Sequence, residues 1–439
     1  MSLKVLKFGG TSLADANHFR QVAEIIKSDP GRRYVVASAP GKRFDGDTKV
    51  TDLLYQCYEL AVNEEDITDV FNQIKERYDS IIKELGLDLD FTDKYDKIKL
   101  SIEHNSGRDY VASRGEYLNA LILAKYLDYT FIDAKKMIFF KEDGSFDPDK
   151  TNEVMTDYLS KNKYAVIPGF YGSMPNGTIK TFSRGGSDIT GSIVARAARA
   201  SLYENWTDVS GFLMADPRCI RNPRVIDVIT YRELRELSYM GATVLHEDAI
   251  FPVRYSKIPI NIRNTERPED KGTMIVPATD EQSPYVITGI AGKNGFSTIT
   301  IEKAMMNSEL GFARRVLQVI EENKVKFEHF PSGIDTMTVV VPTKELNAKR
   351  ADITAGICKA VNPDNIFVEE SLALIAVVGR GMVKAKGTAA RIFAALANAG
   401  VNVRMIDQGS CELNIIVGID SNDYITALKA IYDEFVKKS

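Results

Sequence analysis

Short apolar runs alternate with amphipathic helical patterns over the first two-thirds of the chain, and this alternation constrains the fold more than any other feature. Lys4–Phe8, Tyr34–Ser38 and Ala165–Pro168 have the length and residue types of buried strands. Between the first two, Asp15–Ser28 carries apolar residues at helical spacing. Strands separated by helices predict a mainly parallel sheet with helices on both faces. Such sheets bind ligands beyond the carboxyl ends of their strands, so a site is expected in the turns there.

The same patterns predict further elements of this first region. Strands are expected at Tyr129–Ile132 and Ile179–Phe182, and a helix from about Thr51. Segment 62–105 is acidic and helical, which places it outside the central sheet. Ser12, with Asp15 three residues later, is typical of a capping box at the start of the first helix.

A domain boundary is predicted near residues 264–284, where Asn, Glu, Pro, Asp and Lys-Gly dominate. Beyond it, two successive units read βαββα, each most of a ferredoxin-like βαββαβ sandwich. The first consists of Ser297–Lys303, Gly311–Asn323, Lys326–Phe330, Thr336–Pro342 and Glu345–Val361. The second consists of Ser371–Val378, Ala385–Ala399, Val401–Asp407, Leu413–Gly418 and Asn422–Val436. The second unit lacks a strand after its last helix, and we expect Tyr285–Ala291 to supply one and interlock the units.

Composition restricts the class of partner and the compartment. The 439 residues suffice for two or three globular domains, and the formal net charge of -4 argues against nucleic acid or a membrane surface as partner. The four cysteines form no CxxC pair and are typical of reduced thiols, and four histidines without HExxH spacing indicate no zinc or other protein-held metal site. No apolar run approaches ~18 residues and no signal peptide is recognisable, so a cytoplasmic location is expected.

The segment Lys7-Phe8-Gly9-Gly10-Thr11-Ser12 joins a predicted strand to a predicted helix through a Gly-Gly turn. Glycine lets the backbone approach a ligand closely, and a helix N-terminus presents free N–H groups to an anion. Lys7 adds a full positive charge. These groups suit a γ-phosphate in transfer, although the segment is not a Walker A loop. The other interpretation of so short a motif is a packing turn.

Three other segments carry polar groups at predicted element ends. In Phe182-Ser183-Arg184-Gly185-Gly186-Ser187-Asp188, Arg184 has donors for a carboxylate, and Asp188 could orient Lys7 or hold a Mg²⁺-bound nucleotide. The alternative is a capped helix with a surface arginine. In Ser113-Arg114-Gly115-Glu116, the glutamate is either a partner for an α-ammonium group or a solvated helix residue. Trp206-Thr207-Asp208-Val209-Ser210-Gly211 with Asp216-Pro217-Arg218 suits a nucleotide's base and ribose, or is an ordinary turn.

These motifs resemble those of the aspartokinases, in the amino-acid kinase superfamily, in order and spacing over essentially the whole chain. The motifs are KFGGTS, SxPG…KVTDLL, RGE, PGFYG, SRGGSD, WTDVSGF and ADPR. The C-terminal pair is similar to the family's tandem ACT domains, notably over Val401–Gly409. The resemblance implies an α/β fold. A three-layer αβα amino-acid kinase (carbamate kinase-like) domain over 1–280 would be followed by two ferredoxin-like ACT domains over 285–365 and 366–439.

The resemblance also implies an activity. Aspartokinases phosphorylate the β-carboxylate of L-aspartate with ATP and Mg²⁺, giving 4-phospho-L-aspartate, the first step of lysine, threonine and methionine biosynthesis. Feedback-inhibited members bind lysine or threonine at the ACT domains, and shared ACT sheets imply a homodimer or higher homo-oligomer. A carboxylate acceptor is ionised at neutral pH, so the absence of a catalytic histidine or cysteine is expected.

Carried over position by position, the resemblance assigns roles to individual residues. Lys7, Gly9, Gly10 and Asp188 would serve phosphoryl transfer and contact the phosphates. Aspartate falls to Ser38, Thr51, Glu116, Phe170, Arg184 and Ser187, with Glu116 on its ammonium and Arg184 on its α-carboxylate. The rest of the nucleotide falls to Thr207, Asp208 and Arg218. The effector falls to Met306, Gly311, Phe312, Glu328 and Gly333, with Glu328 on its ammonium.

Three departures from the family pattern bear on the nucleotide. Thr243 stands where relatives have the lysine of GAKVLHP, and Leu213 stands where some have a tyrosine. The loop after Ser38 is longer by Lys42-Arg43-Phe44-Asp45-Gly46-Asp47, and Lys42 or Arg43 is a candidate to replace the missing lysine. Two other functions stay open: a glutamate or acetylglutamate kinase, and a catalytically weak amino-acid sensor. No fused homoserine dehydrogenase is expected.

Overall fold

The structure, a computed structural model, describes residues 2–183, 185–242, 251–279 and 285–437. These residues form two compact units, which the chain enters alternately. The first unit comprises the described residues of Met1–Phe212, Val225–Leu234 and Thr243–Asp280. The second comprises those of Leu213–Arg224, Arg235–Ala242 and Glu281–Ser439. Among the described helices, none combines the length and apolar character needed to cross a membrane.

The first unit is built on strands separated by helices, as the alternating pattern predicts. Its strands are β1 Lys4–Phe8, β2 Arg32–Ala37, β3 Thr130–Phe131, β4 Ala165–Pro168, β5 Tyr171–Ser173, β6 Ile179–Thr181, β7 Leu202–Thr207, β8 Val228–Thr230, β9 Ile260–Asn264 and β10 Thr273–Val276. Its helices are α1 Ala16–Lys27, α2 Val50–Val62, α3 Thr68–Glu84, α4 Thr92–Glu103, α5 Arg108–Leu127, α6 Pro148–Lys161, α7 Gly186–Ala197 and α9 Phe251–Tyr255. Helix α8, Tyr231–Tyr239, begins in the first unit and ends in the second.

One sheet organises this unit, with strand order β3-β4-β2-β1-β7-β9-β10-β8. The pairs from β3 to β9 are parallel. Strand β10 is antiparallel to β9, and β8 is parallel to β10, so these last two strands run opposite to the others. Side chains alternate between the two faces of each strand. Leu6 and Phe8 pack with the helices α1 to α5, and Lys7 faces α7, which packs on β1 and β2 from the other side. The predicted three-layer αβα fold is therefore confirmed.

Two local predictions for the first unit are wrong. Helix α1 begins at Ala16, and its cap is Asp15, whose side chain accepts from the His18 N–H at 3.0 Å. Ser12 caps nothing there, because its hydroxyl lies 2.6 Å from that of Thr265. The strand predicted at 179–182 is present as β6, but its expected place in the central sheet is wrong: the turn at Met174–Gly177 folds it back against β5 in a separate antiparallel hairpin.

The second unit contains one five-stranded sheet, in the order β12-β11-β13-β15-β14. The strands are β11 Gly289–Glu302, β12 Thr336–Pro342, β13 Asn365–Val378, β14 Val403–Asp407 and β15 Asn414–Asp420. The helices are α10 Phe312–Glu322, α11 Thr343–Asn347, α12 Arg350–Val361, α13 Thr388–Asn398 and α14 Tyr424–Tyr432.

Two 14-residue strands, β11 and β13, join both halves of this sheet. The second half of β11 pairs with β12 and with the first half of β13. The first half of β11 pairs with the second half of β13, which also pairs with β15. Gly289, Ile290 and Ala291, the end of the segment expected to supply a strand, lie opposite Val378, Val377 and Ala376.

Three boundaries in this unit differ from those the pattern predicts. Residues 326–330 form no assigned strand and make only an isolated bridge between His329 and Val340. The helix predicted at 345–361 is divided at Ala348–Lys349 into α11 and α12. Strand β13 starts six residues before Ser371, because Asn365–Glu369 pair with the second half of β11.

Candidate functional site

The carboxyl ends of four neighbouring parallel strands meet at one edge of the central sheet. Phe8 of β1 lies opposite Ala37 of β2 and Trp206 of β7, and Ala37 lies opposite Pro168 of β4. The next residues continue the ladder: the Gly9 N–H donates to Trp206 O at 3.0 Å, Ser38 N–H to Phe8 O at 3.3 Å and Gly169 N–H to Ala37 O at 3.0 Å. The segments beginning at Gly9, Ser38, Gly169 and Thr207 are thus side by side, where ligands of such sheets bind.

Lys7 is a buried cation one residue before the end of β1. Its Nζ lies 2.6 Å from Asp188 Oδ1 in the first turn of α7. Asn205, directly opposite Lys7 on β7, donates from Nδ2 to the same oxygen at 2.9 Å. The Lys7 ammonium is therefore fixed by a carboxylate that is itself oriented by a buried amide. This arrangement brings together the two predicted catalytic residues.

The Gly9-Gly10 turn has features of both a ligand-binding turn and a packing turn, the two interpretations that the sequence leaves open. Lys7 Nζ would lie 3.7 Å from a Cβ at Gly9, so the ammonium sits directly over the turn. Gly10 has ordinary helical dihedrals (φ -61°, ψ -39°), and a Cβ there would lie 2.8 Å from Ala39 O. Gly10 is thus required for close packing, and the Gly41 N–H donates to its carbonyl at 2.8 Å. A single 3-10 turn, Thr11–Leu13, separates this turn from α1.

Glu116 is a buried carboxyl group on α5. Gly115 brings it close to the turn after β2, since a Cβ there would lie 2.8 Å from the Ala39 Cβ. Burial raises the pKa of Glu116 to about 8, against the lowering effects of the backbone N–H groups of Glu116 and Ala39 and of the Arg114 charge. Glu116 Oε2 has no hydrogen-bond partner among the described residues. A buried carboxyl oxygen without a donor is suited to a cationic ligand group.

The Gly169-Phe170 turn rests on the start of α7. Phe170 has φ of 78°, a left-handed conformation that costs a bulky residue about 1–3 kcal/mol. Its N–H donates to Thr190 Oγ1 at 3.1 Å, and a Cβ at Gly169 would lie 2.6 Å from Ser187 Oγ. The predicted substrate residues Phe170 and Ser187 are thus brought together, and the strain at Phe170 lies beside the strand ends where the site is expected.

Ser38 and Thr51 approach each other through the Ser38–Gly41 turn. The Val50 N–H, at the start of α2, donates to Pro40 O at 3.2 Å, and Thr51 is the next residue. The amide Nδ2 of Asn119, on α5, donates to Ser38 O at 2.7 Å. Helices α2 and α5 therefore hold this turn from two sides.

The predicted nucleotide residues are divided between the two units. Thr207 and Asp208 follow β7 in the first unit, with Thr207 Oγ1 3.1 Å from Asp208 Oδ1. Arg218 belongs to the second unit, where its exposed guanidinium pairs with Asp216 at 2.6 Å. Leu213 is also in the second unit. Arg184 and Thr243 lie outside the described residues.

The loop of residues 42–47 is closed by ion pairs. Asp47 Oδ2 lies 2.9 Å from Arg43 Nε and 2.8 Å from Nη2 of Arg77, a buried residue of α3. These two cations hold the pKa of Asp47 well below its usual range. Arg77 Nη1 also donates to Gly41 O at 3.0 Å. Arg43 is therefore neutralised by Asp47, whereas Lys42 is exposed, and a nucleotide role for either stays a prediction.

The predicted effector residues all lie in the second unit. Met306 and Phe312 are buried in the core beneath the second half of β11. The Asn307 N–H donates to Ile334 O at 3.1 Å, which brings the turn before Gly311 to the turn containing Gly333. The carboxylate of Glu328 accepts from the Tyr239 hydroxyl, at the end of α8, at 2.5 Å.

The chain is similar to known proteins along its whole length. The model of the amino acid kinase family matches residues 2–264, and that of the ACT domain matches residues 375–435. Aspartokinase 3 of Bacillus subtilis (strain 168) is 39% identical over 449 residues, covering 99% of this chain and 98% of that protein. The chain belongs to the aspartokinases.

Solved structures of aspartokinases have the same fold. Aspartate kinase from Clostridium acetobutylicum has a TM-score of 0.90 and 52% identity, covering 99% of this chain and 100% of that one. Aspartokinase III of E. coli, in complex with aspartate and ADP, has a TM-score of 0.74 and 24% identity over 98% of this chain and 99% of that one. The predicted family, fold and enzyme class are confirmed.

The sequence analysis missed several residues that contact the candidate site residues of this aspartokinase. Asn205 is a polar residue within the strand Leu202–Thr207, and Asn119 lies three positions after Glu116 on the same helix face. Both patterns were available in the sequence. Arg77 and Tyr239 gave no comparable signal, because their partners Asp47 and Glu328 are far away in the chain.

Proposed function

We propose that this aspartokinase transfers the γ-phosphoryl group of ATP to the β-carboxylate of L-aspartate, forming 4-phospho-L-aspartate and ADP. The 39% identity to Bacillus subtilis aspartokinase 3 over 98% of its length carries the proposal. The structure adds a fixed cation, Lys7, at the edge where four parallel strands end.

Lys7 supplies the positive charge that the transferred phosphoryl group needs. A β-carboxylate oxygen of aspartate forms the new bond to γ-phosphorus while the bond to the β,γ-bridging oxygen breaks, and ADP leaves with that electron pair. Asp188 and Asn205 hold the Lys7 ammonium in one orientation before substrates bind. A preoriented charge stabilises the transition state without reorganisation during the reaction. No general base is required, because the attacking carboxylate is already ionised.

Aspartate is proposed to contact several segments around the strand ends. Glu116 takes the ammonium, and Arg184 takes the α-carboxylate. Ser38, Thr51, Phe170 and Ser187 form the walls that orient the β-carboxylate. The unpartnered Oε2 of Glu116 supports this assignment, since a buried acceptor is stabilised by a ligand's N–H donors.

ATP with Mg²⁺ is the proposed second substrate. Gly9 and Gly10 face its phosphates, and Thr207, Asp208 and Arg218 meet the rest of the nucleotide. Asp188 and Asp208 offer the carboxylate oxygens that Mg²⁺ prefers, and among the described residues Asp188 uses only Oδ1. Bound Mg²⁺ neutralises phosphate charge.

Regulation and assembly form the finer part of the proposal. The Clostridium acetobutylicum enzyme is described as allosteric, and E. coli aspartokinase III has been solved with lysine and aspartate in a T-state. We place an amino-acid effector, lysine or threonine, at Met306, Gly311, Phe312, Glu328 and Gly333. We also propose a homodimer or higher homo-oligomer, a cytoplasmic location and a role at the start of lysine, threonine and methionine biosynthesis. The free thiols of all four cysteines agree with a reducing compartment.

An ADP-release assay tests the activity. The purified protein with ATP and Mg²⁺ is given aspartate, glutamate or N-acetylglutamate, each with and without lysine or threonine. Release of ADP is expected with aspartate alone among the three acceptors, and hydroxylamine should trap the acyl phosphate as an aspartyl hydroxamate. Release with glutamate but not aspartate would reassign the substrate. Amino-acid binding at the second unit without any ADP release would indicate a sensor.

A further inference from the structure

Two buried side chains of α5 are attached to consecutive backbone groups of the turn after β2. Glu116 interacts with the Ala39 N–H, and Asn119 donates from Nδ2 to Ser38 O at 2.7 Å. Because residues three apart on a helix lie on one face, the two side chains are neighbours. One helix face therefore fixes the Ser38-Ala39 segment.

The orientation of the Asn119 amide follows from its partner. A backbone carbonyl only accepts hydrogen bonds, so the NH₂ group must face Ser38 O. The amide oxygen Oδ1 is then directed away from that carbonyl. Asn119 is fully buried, and Oδ1 has no hydrogen-bond partner among the described residues.

Two buried oxygens on this helix face, Glu116 Oε2 and Asn119 Oδ1, thus lack a protein partner in the described part of the chain, and both are acceptors once a bound cation ionises Glu116. Leaving such atoms unsatisfied is costly, and native proteins rarely do so without a function. A primary ammonium group carries three donors and can satisfy both oxygens at once. A hydroxyl group donates only one hydrogen bond. A water molecule can donate two, but it carries no positive charge to pair with Glu116.

We propose that Asn119 is a second acceptor for the ammonium group of the substrate, beside Glu116, and that it selects an α-amino dicarboxylate over the same dicarboxylate without the amino group. The inference rests on the proposed function, because it deepens the assignment of the aspartate site. Asn119 is then a specificity-determining residue, and its hydrogen bond to Ser38 sets the distance between helix and turn.

The test compares aspartate with succinate, which has both carboxylates and no ammonium. For the unmodified protein and for Asn119→Ala, the Kd values of aspartate and of succinate are measured by calorimetry with a non-hydrolysable ATP analogue and Mg²⁺ present. Asn119→Ala should raise the Kd of aspartate by about 10- to 100-fold, as expected for a lost hydrogen bond to a charged group. The affinity for succinate should change by less than about threefold. Equal weakening of both ligands, or of neither, would overturn the proposal, since Asn119 would then only hold the turn or enclose a water.

Two further variants keep the test decisive. Asn119→Asp retains oxygen acceptors and should keep the preference for aspartate, even if both ligands bind less well through loss of the Ser38 hydrogen bond. Loss of the preference in this variant would contradict the proposal. Leu118→Ala, a buried position on the same helix, should leave the preference unchanged. Because binding is measured separately from turnover, an unmodified protein that binds aspartate without releasing ADP would refute the proposed activity and still report on Asn119.

Discussion

Lys7 is buried and forms an ion pair with Asp188, so the position of its ammonium group is fixed before ATP binds. Asp188 accepts from both Lys7 and Asn205 through the same oxygen. Such a network is coupled, and removal of one member is expected to disturb the others. The three residues therefore act as one group, although they come from three separate elements.

Replacing Lys7 tests its role in transfer. Lys7→Met should lower kcat by about 10²- to 10³-fold, because it removes a charge aimed at the transition state, and should change the KM for aspartate only a few-fold. Lys4→Met is the matched control at the other end of β1, where the ammonium pairs with Asp29 at 2.8 Å. Steady-state kinetics of both variants decides the matter. A Lys7→Met enzyme with near-normal kcat would exclude Lys7 from the chemistry.

The raised pKa of Glu116 predicts that aspartate binding releases a proton. Its pKa of about 8 keeps the carboxyl protonated in the free enzyme near pH 7, and a substrate ammonium favours the ionised form. Aspartate binding should therefore release close to one proton at pH 7 and few above pH 9. Calorimetry in buffers with different ionisation enthalpies measures this number. Glu116→Gln should release none, and equal proton release by both proteins would contradict the assignment.

The same shift bears on stability. The folded-state pKa of Glu116 lies above its ordinary value of 4.5, so this group's contribution to stability is present at acidic pH and is lost as pH rises through about 8. Glu116→Gln removes that loss. Its melting temperature should therefore exceed that of the unmodified protein most clearly at pH 9, in the absence of ligands.

At the scale of elements, the turn after β2 is held by contacts that leave no space for added atoms. A Cβ at Gly41 would lie 2.6 Å from the Gly10 carbonyl carbon and from the Thr11 nitrogen. Both glycine turns must therefore adjust together if either residue is enlarged. This contact links the loop of residues 42–47 to the Gly9-Gly10 turn through backbone atoms alone.

Gly41→Ala is predicted to impair this linkage. The added methyl group should cost about 1–3 kcal/mol of folding free energy through backbone displacement, and should raise the KM for ATP as the Gly9-Gly10 turn moves. Gly46→Ala in the same loop is the control for ATP binding, because a Cβ there meets nothing within 4 Å; its φ of 90° lowers stability but should leave the KM for ATP unchanged. Thermal unfolding and ATP titrations compare the two. Equal effects would show that the Gly10–Gly41 contact is unimportant.

Much of the element order could be predicted from the sequence, because strand length and helical spacing are local properties. Lys4–Phe8 and Ala165–Pro168 were predicted with their observed limits. Candidate site residues that directly follow a strand could also be predicted from the sequence. The contact of Asn119 with Ser38 and the Lys7–Asp188 pair depend on helix packing and strand register, which join residues 81 and 181 positions apart. The strand predicted at 326–330 is absent for a related reason: a strand needs a partner along its length, and this segment meets β12 only around Val340, through Glu328 and His329.

At the scale of the whole molecule, the two halves of the second unit's sheet share their central strands. Val339 of β12 and Val417 of β15 are both fully buried in opposite halves. Because β11 and β13 run through both halves, neither half has a complete set of strands of its own. The boundary between 365 and 366 remains a prediction about sequence repeats.

This sharing predicts a single cooperative unfolding unit. Val339→Ala and Val417→Ala should each destabilise it by on the order of 2 kcal/mol. Native-state hydrogen exchange should then show equal loss of protection along all of β11 and β13 in either variant. If Val417→Ala weakened protection only after residue 366 and left β12 unaffected, the halves would be independent.

Because the chain passes back and forth between the units, the second unit cannot be removed cleanly by truncating the gene. A stop codon placed after residue 280 would remove the sheet beside which segments 213–224 and 235–242 pack, while leaving those segments in the product. Met214, whose carbonyl accepts from the Ile290 N–H at 2.7 Å, and Leu237, against Gly289, would lose their cover. The shortened enzyme would carry newly exposed apolar side chains and a tendency to aggregate. Feedback-insensitive variants are better sought by single substitutions than by deletion.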